Sequence, residues 1–201
     1  MNKKLLMITV ALVIWLAEPM ATAGEAPDQV AVCAGCHGQG GHSLVPENPI
    51  LAAQHFDYLV SALRAYVSGE RDYGIMETLA GRLGDGDIEV IAAYYAAQSP
   101  VRSQSRAAGD AARGEARAAP CVACHGPAGH SVIAANPKLA GQHARYLSSS
   151  LSAYKSGARN NAVMGAMVAA LSEQDIEDIA AYFAAQPPQA AGEAASGGQP
   201  Q

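Results

Sequence analysis

The sequence predicts an all-α protein made of two tandem domains that are related by internal duplication. A constant offset of 88 residues aligns residues 33–98 with residues 121–186 without a gap, and 34 of the 66 aligned positions are identical. Such self-similarity is typical of a repeated module. Apolar residues recur at helical spacing in both copies, and no segment alternates in the way that a half-buried strand does.

Each copy contains one Cys-x-x-Cys-His motif, at residues 33–37 and 121–125. This spacing is that of a c-type haem attachment site. Two thiols add to the vinyl groups at one porphyrin edge, and the adjacent imidazole becomes the proximal ligand of the iron. The motifs therefore predict two covalently bound haem c groups. Their thioether bonds and proximal ligands come from six residues: Cys33, Cys36, Cys121, Cys124, His37 and His125.

Other proteins use a Cys-x-x-Cys pair for different chemistry. A thioredoxin-like redox dithiol lies in a βαβ context, whereas this chain is predicted to be helical. A four-thiolate zinc site would require the two motifs to converge, and it would leave both following histidines without a role. All four cysteines of the chain belong to these motifs, so none is left for a separate disulfide.

The first 23 residues have the composition of a signal peptide. Lys3 and Lys4 precede an apolar run of 13 residues from Leu5 to Ala17, and Ala21-Thr22-Ala23 matches a small-residue cleavage site. A span of the bilayer requires about 20 apolar residues. We therefore expect cleavage near Ala23 and export to the periplasm, and an uncleaved membrane anchor is the alternative.

The composition of the sequence after residue 23 indicates where the two domains begin and end. We expect the first domain at residues 24–99, a polar linker at 100–108 and the second domain at 109–188. Residues 189–201 are rich in Gln, Ala, Gly, Ser and Pro, and we expect this tail to be disordered.

Each domain is expected to contain a short helix before the motif (in the first copy, before residue 33), which delivers the Cys-x-x-Cys-His turn to the haem edge, then a loop and two longer helices. The loops cover residues 38–50 and 126–138. Gly69 and Gly157 are natural ends for the first long helix. Its apolar face is predicted from Phe56, Leu59, Val60, Leu63 and Val67 in the first copy, and from Leu147, Leu151 and Tyr154 in the second.

The last helix of each domain shows the clearest periodicity. Ser172 with Asp175 predicts a capping box in the second copy. In the first copy Gly84 stands in place of this serine. The residues expected to be buried are Ile88, Ile91, Ala92 and Tyr95, matched by Ile176, Ile179, Ala180 and Phe183.

A six-coordinate haem needs a second axial ligand, commonly Met or His. Met76 and Met164 are matched by the repeat, and each lies 39 residues after its proximal histidine. The residues on either side of them differ between the copies, so retention of the methionine suggests a demand on its sulfur. Met167 has no partner in the first copy, and we interpret it as a packing residue.

Two histidine pairs are the competing distal ligands. His42 and His130 follow the proximal ligand by only five residues, which makes the opposite haem face hard to reach. His55 and His143 open a helix, where they could cap it or contact a haem propionate.

Pro49, like its repeat partner, could offer a carbonyl to the proximal imidazole, and a plain loop proline is the alternative.

Taken together, the motifs resemble the class I c-type cytochromes. They are Cys-x-x-Cys-His, Asn-Pro-x-Leu-Ala-x-Gln, Tyr-Leu, Gly-x-Arg, Met and Asp-Ile-x-x-Ile-Ala-Ala-Tyr. The duplicated form is similar to the dihaem c4-type cytochromes of bacterial periplasms, over about residues 28–186. The resemblance implies two all-α cytochrome c domains about a pseudo-twofold axis. It also implies that His37 and Met76 are the axial ligands of one iron and that His125 and Met164 are those of the other. In the same way it implies that the carbonyls of Pro49 and Pro137 accept hydrogen bonds from the proximal imidazoles. His42 and His130 depart from the family pattern, which has a small polar residue there.

A haem with both faces filled argues against catalysis, because a haem enzyme needs an open position on the iron. We therefore expect an electron carrier between a quinol-oxidising complex or dehydrogenase and a terminal oxidase or reductase. A cytochrome subunit of a periplasmic dehydrogenase complex is the alternative, and a small haem enzyme would require a labile methionine. The chain without its signal peptide has a net charge of −6, so it lacks the basic surplus that nucleic acid binding requires.

We predict that the haem of the first half has the lower reduction potential. Residues 24–99 carry 10 acidic and 3 basic side chains, whereas residues 100–201 carry 7 and 8. Negative charge stabilises oxidised iron, although salt screens exposed charges over about 8 Å. Redox titration at low and high salt, with Met76→His and Met164→His to assign the couples, measures this. A lower potential in the second half, or a separation that salt does not change, contradicts the prediction.

Overall fold

A computed structural model of the protein describes residues 27–189. This part of the chain contains α-helices, short 3₁₀ turns and no β-strand, apart from one isolated antiparallel bridge between Arg71 and Arg159. None of its helices has the length and apolarity needed to cross a lipid bilayer. The expected signal peptide and residues 190–201 of the expected disordered tail lie outside the described residues.

The helices repeat from one half to the other. The first half contains α1 (Ala31–His37), α2 (Phe56–Ser68), α3 (Ile75–Ala80) and α4 (Asp85–Ala96). The second half contains α5 (Ala111–Ala118), α6 (Val122–His125), α7 (Ala144–Ser156), α8 (Ala162–Val168) and α9 (Glu173–Ala185). With the offset of 88 residues, α2 corresponds to α7, α3 to α8 and α4 to α9. The predicted all-α duplication is therefore present.

Each half has its own apolar core, in which its last helix packs on its longest one: α4 on α2, and α9 on α7. All eight residues predicted to be buried in α4 and α9 are buried. The prediction for α2 was wrong at its two ends. Phe56 and Val67 are exposed, and Tyr66 is buried instead. Tyr66 lies under a guanidinium from the loop after α2, and this contact depends on tertiary structure that periodicity does not encode.

The helix ends follow the predicted local chemistry. Gly69 and Gly157 end α2 and α7 in the left-handed conformation, with φ of 77° and 84°. Ser172 accepts a hydrogen bond from the Asp175 backbone N–H at 3.1 Å, and Asp175 accepts one from the Ser172 N–H at 3.0 Å. In the first half only the second bond remains, from the Gly84 N–H to Asp87 at 3.1 Å.

Helix α5 corresponds by the offset of 88 to residues 23–30, of which the structure describes only 27–30, with a 3₁₀ turn at Asp28–Val30. It packs closely against α9, and a Cβ on Gly114 would collide with the Asp178 carbonyl. The buried Asp178 carboxylate accepts two hydrogen bonds from Arg113 and one from the Asp110 N–H, and the Arg113 bonds in particular hold its pKa well below the usual value. Val90 occupies the matching position of α4 and is 38% exposed. The carboxylate that anchors α5 therefore has no equivalent at the matching position of the first half.

The two halves are joined by reciprocal hydrogen bonds from two matched glutamines. The Gln142 amide accepts from the Ile50 N–H and donates to the Ile50 carbonyl, both at 2.8 Å. The Gln54 amide makes the same pair of bonds with the backbone of Lys138, both at 2.9 Å. Each glutamine thus satisfies a backbone donor and acceptor of the other half, and the arrangement approximates a twofold axis.

Two matched histidines add to the same interface. The Nε2 of His55 donates to the Ser131 carbonyl at 2.8 Å, and the Nε2 of His143 donates to the Ser43 carbonyl at 3.0 Å. Neither imidazole caps its helix, although this was one of the roles considered for them. On its other side, His143 Nδ1 accepts from Ser103 Oγ at 2.6 Å. The segment predicted to be a polar linker is therefore packed into the interface at Ser103.

We predict that Gln142→Ala lowers the free energy of unfolding by about 2 kcal/mol or more, because it leaves a buried N–H and a buried C=O of Ile50 unpaired. The loss should also weaken the coupling between the halves, so that calorimetry shows two separated transitions.

Gln186→Ala is the matched control for this variant. The Gln186 amide donates to the Tyr182 carbonyl within its own half, at 2.9 Å. A loss of stability in Gln142→Ala that does not exceed the loss in Gln186→Ala would refute the role given to the interdomain glutamines.

Candidate functional site

Each Cys-x-x-Cys-His motif lies on one short helical segment. In the first half α1 carries Cys33, Cys36 and His37, and it ends at the histidine because Gly38 takes φ of 75°. A Cβ on Gly38 would collide with the His42 carbonyl, so only glycine fits this turn. The two cysteines are three residues apart and share one face of the helix. The second motif has the same geometry at Gly126, with φ of 76°.

The proximal imidazoles are held from behind by proline carbonyls. His37 Nδ1 lies 3.0 Å from the Pro49 carbonyl oxygen, and His125 Nδ1 lies 3.0 Å from that of Pro137. A carbonyl only accepts, so Nδ1 carries the proton and Nε2 keeps its lone pair. Both rings are buried, and burial lowers the pKa of each despite the opposing effect of the carbonyl. The result is two oriented, neutral imidazoles of the kind that bind iron.

A second contact fixes the proline loop to the motif. The Asn48 side-chain amide donates to the Cys36 carbonyl at 2.9 Å, and Asn136 makes the same bond to Cys124. The amide and the neighbouring proline carbonyl therefore hold the loop against the end of the helix. The sequence predicted no role for the asparagine of the Asn-Pro motif, and these hydrogen bonds provide one.

The four cysteines are free thiols of two kinds. Cys36 and Cys124 are exposed, whereas Cys33 and Cys121 are half-buried against the apolar cores. Burial raises the pKa of Cys33 and of Cys121. Each motif thus presents one thiol to solvent and one to the core, an arrangement that suits attachment of a group lying across the protein surface.

Met76 and Met164 lie in the first turns of the matched helices α3 and α8, and both are half-buried. Asn161 caps α8 and accepts from the Met164 N–H at 3.0 Å. Met167 was interpreted from the sequence as a packing residue. Its side chain is 42% exposed, so it does not belong to the apolar core.

Exposed apolar side chains occur at matched positions of the two halves. Four of them lie in the loops after the motifs or directly before the methionines: Val45, Ile133, Ile75 and Val163. Exposed apolar clusters mark the binding sites of apolar ligands or partners. A porphyrin is a flat apolar group, and it fits a surface of this character.

Two arginines lie between the halves without a carboxylate partner among residues 27–189, and Arg71 is buried whereas Arg159 is half-buried. Arg71 donates to the Tyr146 hydroxyl at 2.9 Å, and Arg159 donates to the Tyr58 hydroxyl at 3.0 Å. Each guanidinium also lies over an aromatic ring of its own half, 4.6 and 4.5 Å from its centre. Burial would raise the pKa of Tyr146, but the two cations outweigh it and lower that pKa.

Buried cations normally have an anionic partner. The partners of Arg71 and Arg159 in the described chain are tyrosines, so the pair is suited to bind carboxylates of a ligand, and haem propionates have that chemistry. The Gly-x-Arg motif was part of the sequence resemblance, but its arginine had no predicted function. The motif occurs at the same place in both copies, and this repetition could have indicated a functional arginine.

The other candidate histidines have different surroundings. His42 Nε2 lies 3.2 Å from the Ser99 carbonyl oxygen on the protein surface. His130 is near Lys138, and burial lowers its pKa. His55 and His143 are occupied by the interdomain bonds described above. None of the four imidazoles is held as His37 and His125 are.

The chain is similar to known haem proteins along most of its length. The family model of cytochrome c matches residues 111–186. A cytochrome c4 of Pseudomonas aeruginosa is 35% identical over 203 residues, covering 91% of this chain and 98% of that one. A protein of Stutzerimonas stutzeri described as a thiosulfate dehydrogenase electron acceptor is 35% identical over 178 residues, covering 81% and 82%. The crystal structure of reduced cytochrome c4 from Pseudomonas stutzeri superposes with a TM-score of 0.72 at 31% identity, covering 82% and 100%.

We predict that folding of each half depends on its attached haem. The chain has only two Phe residues, and the porphyrin would add apolar bulk to small domains that have little of their own. Cys124→Ser, or Cys36→Ser in the first half, should leave the altered half poorly attached to haem and rapidly cleaved by protease. Limited proteolysis followed by mass spectrometry measures this, and the unaltered half serves as the internal control. A haem-free half that melts cooperatively near the temperature of the wild type would contradict the prediction.

Proposed function

The chain belongs to the cytochrome c4 family and is a dihaem electron-transfer protein, and we propose which of its residues hold the two haem c groups. Cys33 and Cys36 would form the thioether bonds of the first haem, and Cys121 and Cys124 those of the second. His37 with Met76, and His125 with Met164, would be the axial ligands of the two irons.

One observation carries the proximal assignment: in both halves Nδ1 of the imidazole is bonded to a proline carbonyl at 3.0 Å. This bond fixes the tautomer and the orientation of a metal-binding histidine and raises its basicity. The other ring nitrogen is then the only one available for a metal. The adjacent cysteines share the helix with this imidazole, which supports attachment of the same group to all three side chains.

The distal assignment rests on the pattern of the repeat and on the state of the competing residues. Met76 and Met164 are half-buried at corresponding places in matched helices. His55 and His143 are engaged by carbonyls across the interface. A histidine that leaves such a bond would expose a buried backbone acceptor, which is costly. The methionines are therefore the favoured ligands.

We propose that Arg71 and Arg159 neutralise haem propionates near the interface between the halves. Arg71 is buried and Arg159 is half-buried, and their side-chain hydrogen bonds go to tyrosine hydroxyls. A carboxylate brought near them would replace part of the solvation that burial removes. Charge neutralisation at this place would favour the reduced state of both haems.

The haem supplies the chemistry, since its iron alternates between the ferrous and ferric states. The protein would hold the proximal imidazole in its orientation and supply the methionine sulfur as the second ligand. A neutral thioether ligand favours ferrous iron, so the reduction potentials should be high. With two protein ligands on each iron, no position is left for a substrate, and we assign no catalytic residue.

The partners are redox proteins, and two classes of donor are compatible with the relatives. A carrier would exchange electrons with a quinol-oxidising complex or dehydrogenase and with a terminal oxidase or reductase. The similarity to a protein described as a thiosulfate dehydrogenase electron acceptor favours a dehydrogenase as the donor. Rapid reduction by a purified thiosulfate dehydrogenase, in a stable complex with it, would support the role of dedicated subunit; slow reduction without a complex would support the general carrier.

We further propose that the protein acts in the periplasm after cleavage near Ala23. The leader-like first 23 residues and the four motif cysteines support this location, since thioether attachment of haem takes place outside the cytoplasm in the bacterial systems that these sequences resemble. Amino-terminal sequencing of the exported protein reports the cleavage site, and a retained leader would indicate an anchor.

We predict that the oxidised protein shows the weak near-infrared absorption band of methionine-bound ferric haem. Met76→Ala and Met164→Ala should each remove about half of its intensity, because each sulfur serves one of two equivalent irons. Met167→Ala is the matched control and should leave the band intact. If Met167→Ala removes as much as Met164→Ala, or if the wild type lacks the band, the methionine assignment is wrong.

A further inference from the structure

Tyr95 carries a buried hydroxyl group without a hydrogen-bond partner in the described chain. The residue lies on α4 and is 1% exposed. Among the buried side-chain nitrogen and oxygen atoms of residues 27–189, its hydroxyl is the one that no protein group satisfies. Buried polar groups are nearly always paired, because an unpaired one costs about 1–3 kcal/mol. This hydroxyl therefore calls for an explanation.

Cys33 is close enough to this hydroxyl to affect its pKa, although the two groups do not meet the geometry of a normal hydrogen bond. The Cys33 side chain packs against the core cluster that contains Tyr95. The Tyr95 hydroxyl partly offsets the effect of burial on the pKa of the Cys33 thiol. Burial raises the pKa of Tyr95, so its hydroxyl stays protonated and available as a donor. The thiol sulfur stands here for the thioether sulfur that the proposed haem attachment would create.

The second half contains the same ring without the hydroxyl. Phe183 replaces Tyr95 at the matched position, and it too is buried. A Cβ built on Gly41 would lie 2.8 Å from Tyr95 Cδ1, and one built on Gly129 would lie 2.9 Å from Phe183 Cδ1.

Two further contacts confirm that the rings correspond. The Tyr95 carbonyl accepts from the Ala53 N–H at 2.9 Å, and the Phe183 carbonyl accepts from the Gly141 N–H at 3.0 Å. Each ring also lies close to that of the preceding tyrosine, with centres 5.2 and 5.1 Å apart. The hydroxyl is thus the chemical difference between two equivalent ring positions.

We propose that the Tyr95 hydroxyl donates a weak hydrogen bond toward the thioether sulfur of Cys33 and thereby raises the reduction potential of the first haem. This inference rests on the proposed attachment of haem at Cys33. The positive end of an O–H dipole that points to the haem edge stabilises the electron-rich ferrous state, and its effect is strong because the surroundings are apolar. Hydrogen bonds to the sulfurs of iron–sulfur clusters are likewise among the determinants of their reduction potentials.

The hydroxyl opposes the effect of the acidic surface of the first half. Surface carboxylates lower the potential of that haem in a salt-dependent way. The Tyr95 hydroxyl is buried, so its contribution does not change with ionic strength. Measurements at different salt concentrations therefore separate the two effects.

Redox titration of the full-length exported dihaem protein tests the proposal, with Tyr95→Phe and Phe183→Tyr as reciprocal variants. Tyr95→Phe should lower the equilibrium constant for reduction of one haem by about threefold, the size of a weak hydrogen bond. The shift should be the same at low and high salt. Phe183→Tyr should raise the potential of the other haem.

Tyr94→Phe is the control, since it removes a hydroxyl from the adjacent ring and should leave both potentials unchanged. Two unchanged potentials in Tyr95→Phe, or a shift of the same haem in both reciprocal variants, would overturn the proposal. The haem content of each variant is determined first. A wild-type chain without haem at Cys33 would overturn the proposed attachment itself, and the inference with it.

Discussion

The structure depends on the hydrogen bond from each proximal imidazole to a proline carbonyl. His37 and His125 are the last residues of their helices, each directly before a glycine, where a free imidazole would rotate. The carbonyl twelve residues later fixes the ring and its tautomer, and the asparagine before each proline ties the same loop to the motif. Both halves preserve this set of contacts although about half of their aligned residues differ. The oriented imidazole suits the Cys-x-x-Cys-His segment to bind the haem iron in addition to the proposed attachment of the porphyrin.

The duplication also explains how the halves associate. Gln54 and Gln142 exchange equivalent bonds with backbone groups of the opposite half, and the two arginine–tyrosine contacts obey the same symmetry. A twofold arrangement brings the two guanidiniums to the same interface, where burial makes anionic ligands favourable. Departures from the symmetry are then informative. Asp178 anchors α5 in the second half, where the first half has Val90, and the Tyr95 hydroxyl occurs only in the first.

Much of this organisation could be predicted from the sequence because local chemistry determines it. The spacing of the motif cysteines, the helix-ending glycines and the periodicity of α4 and α9 each report a short-range constraint. Sequence could not predict contacts that the fold assembles from distant residues. Val67 fits the helical pattern but is 52% exposed. His143 stands at a helix start as predicted, but nothing in the sequence indicated that its imidazole joins Ser103 of the linker to Ser43 of the other half. The orphan hydroxyl of Tyr95 is likewise visible only after packing is known.

The central claim is that each motif holds one haem through two thioethers, with its own histidine on the iron. Peptide mapping of the purified exported protein by mass spectrometry tests this most directly, since it reports both the number of haems and the cysteines that carry them. We expect one haem on the peptide with Cys33 and Cys36 and one on the peptide with Cys121 and Cys124. Alkylatable thiols in either peptide of the mature protein, or a zinc ion bound between the two, would contradict the account.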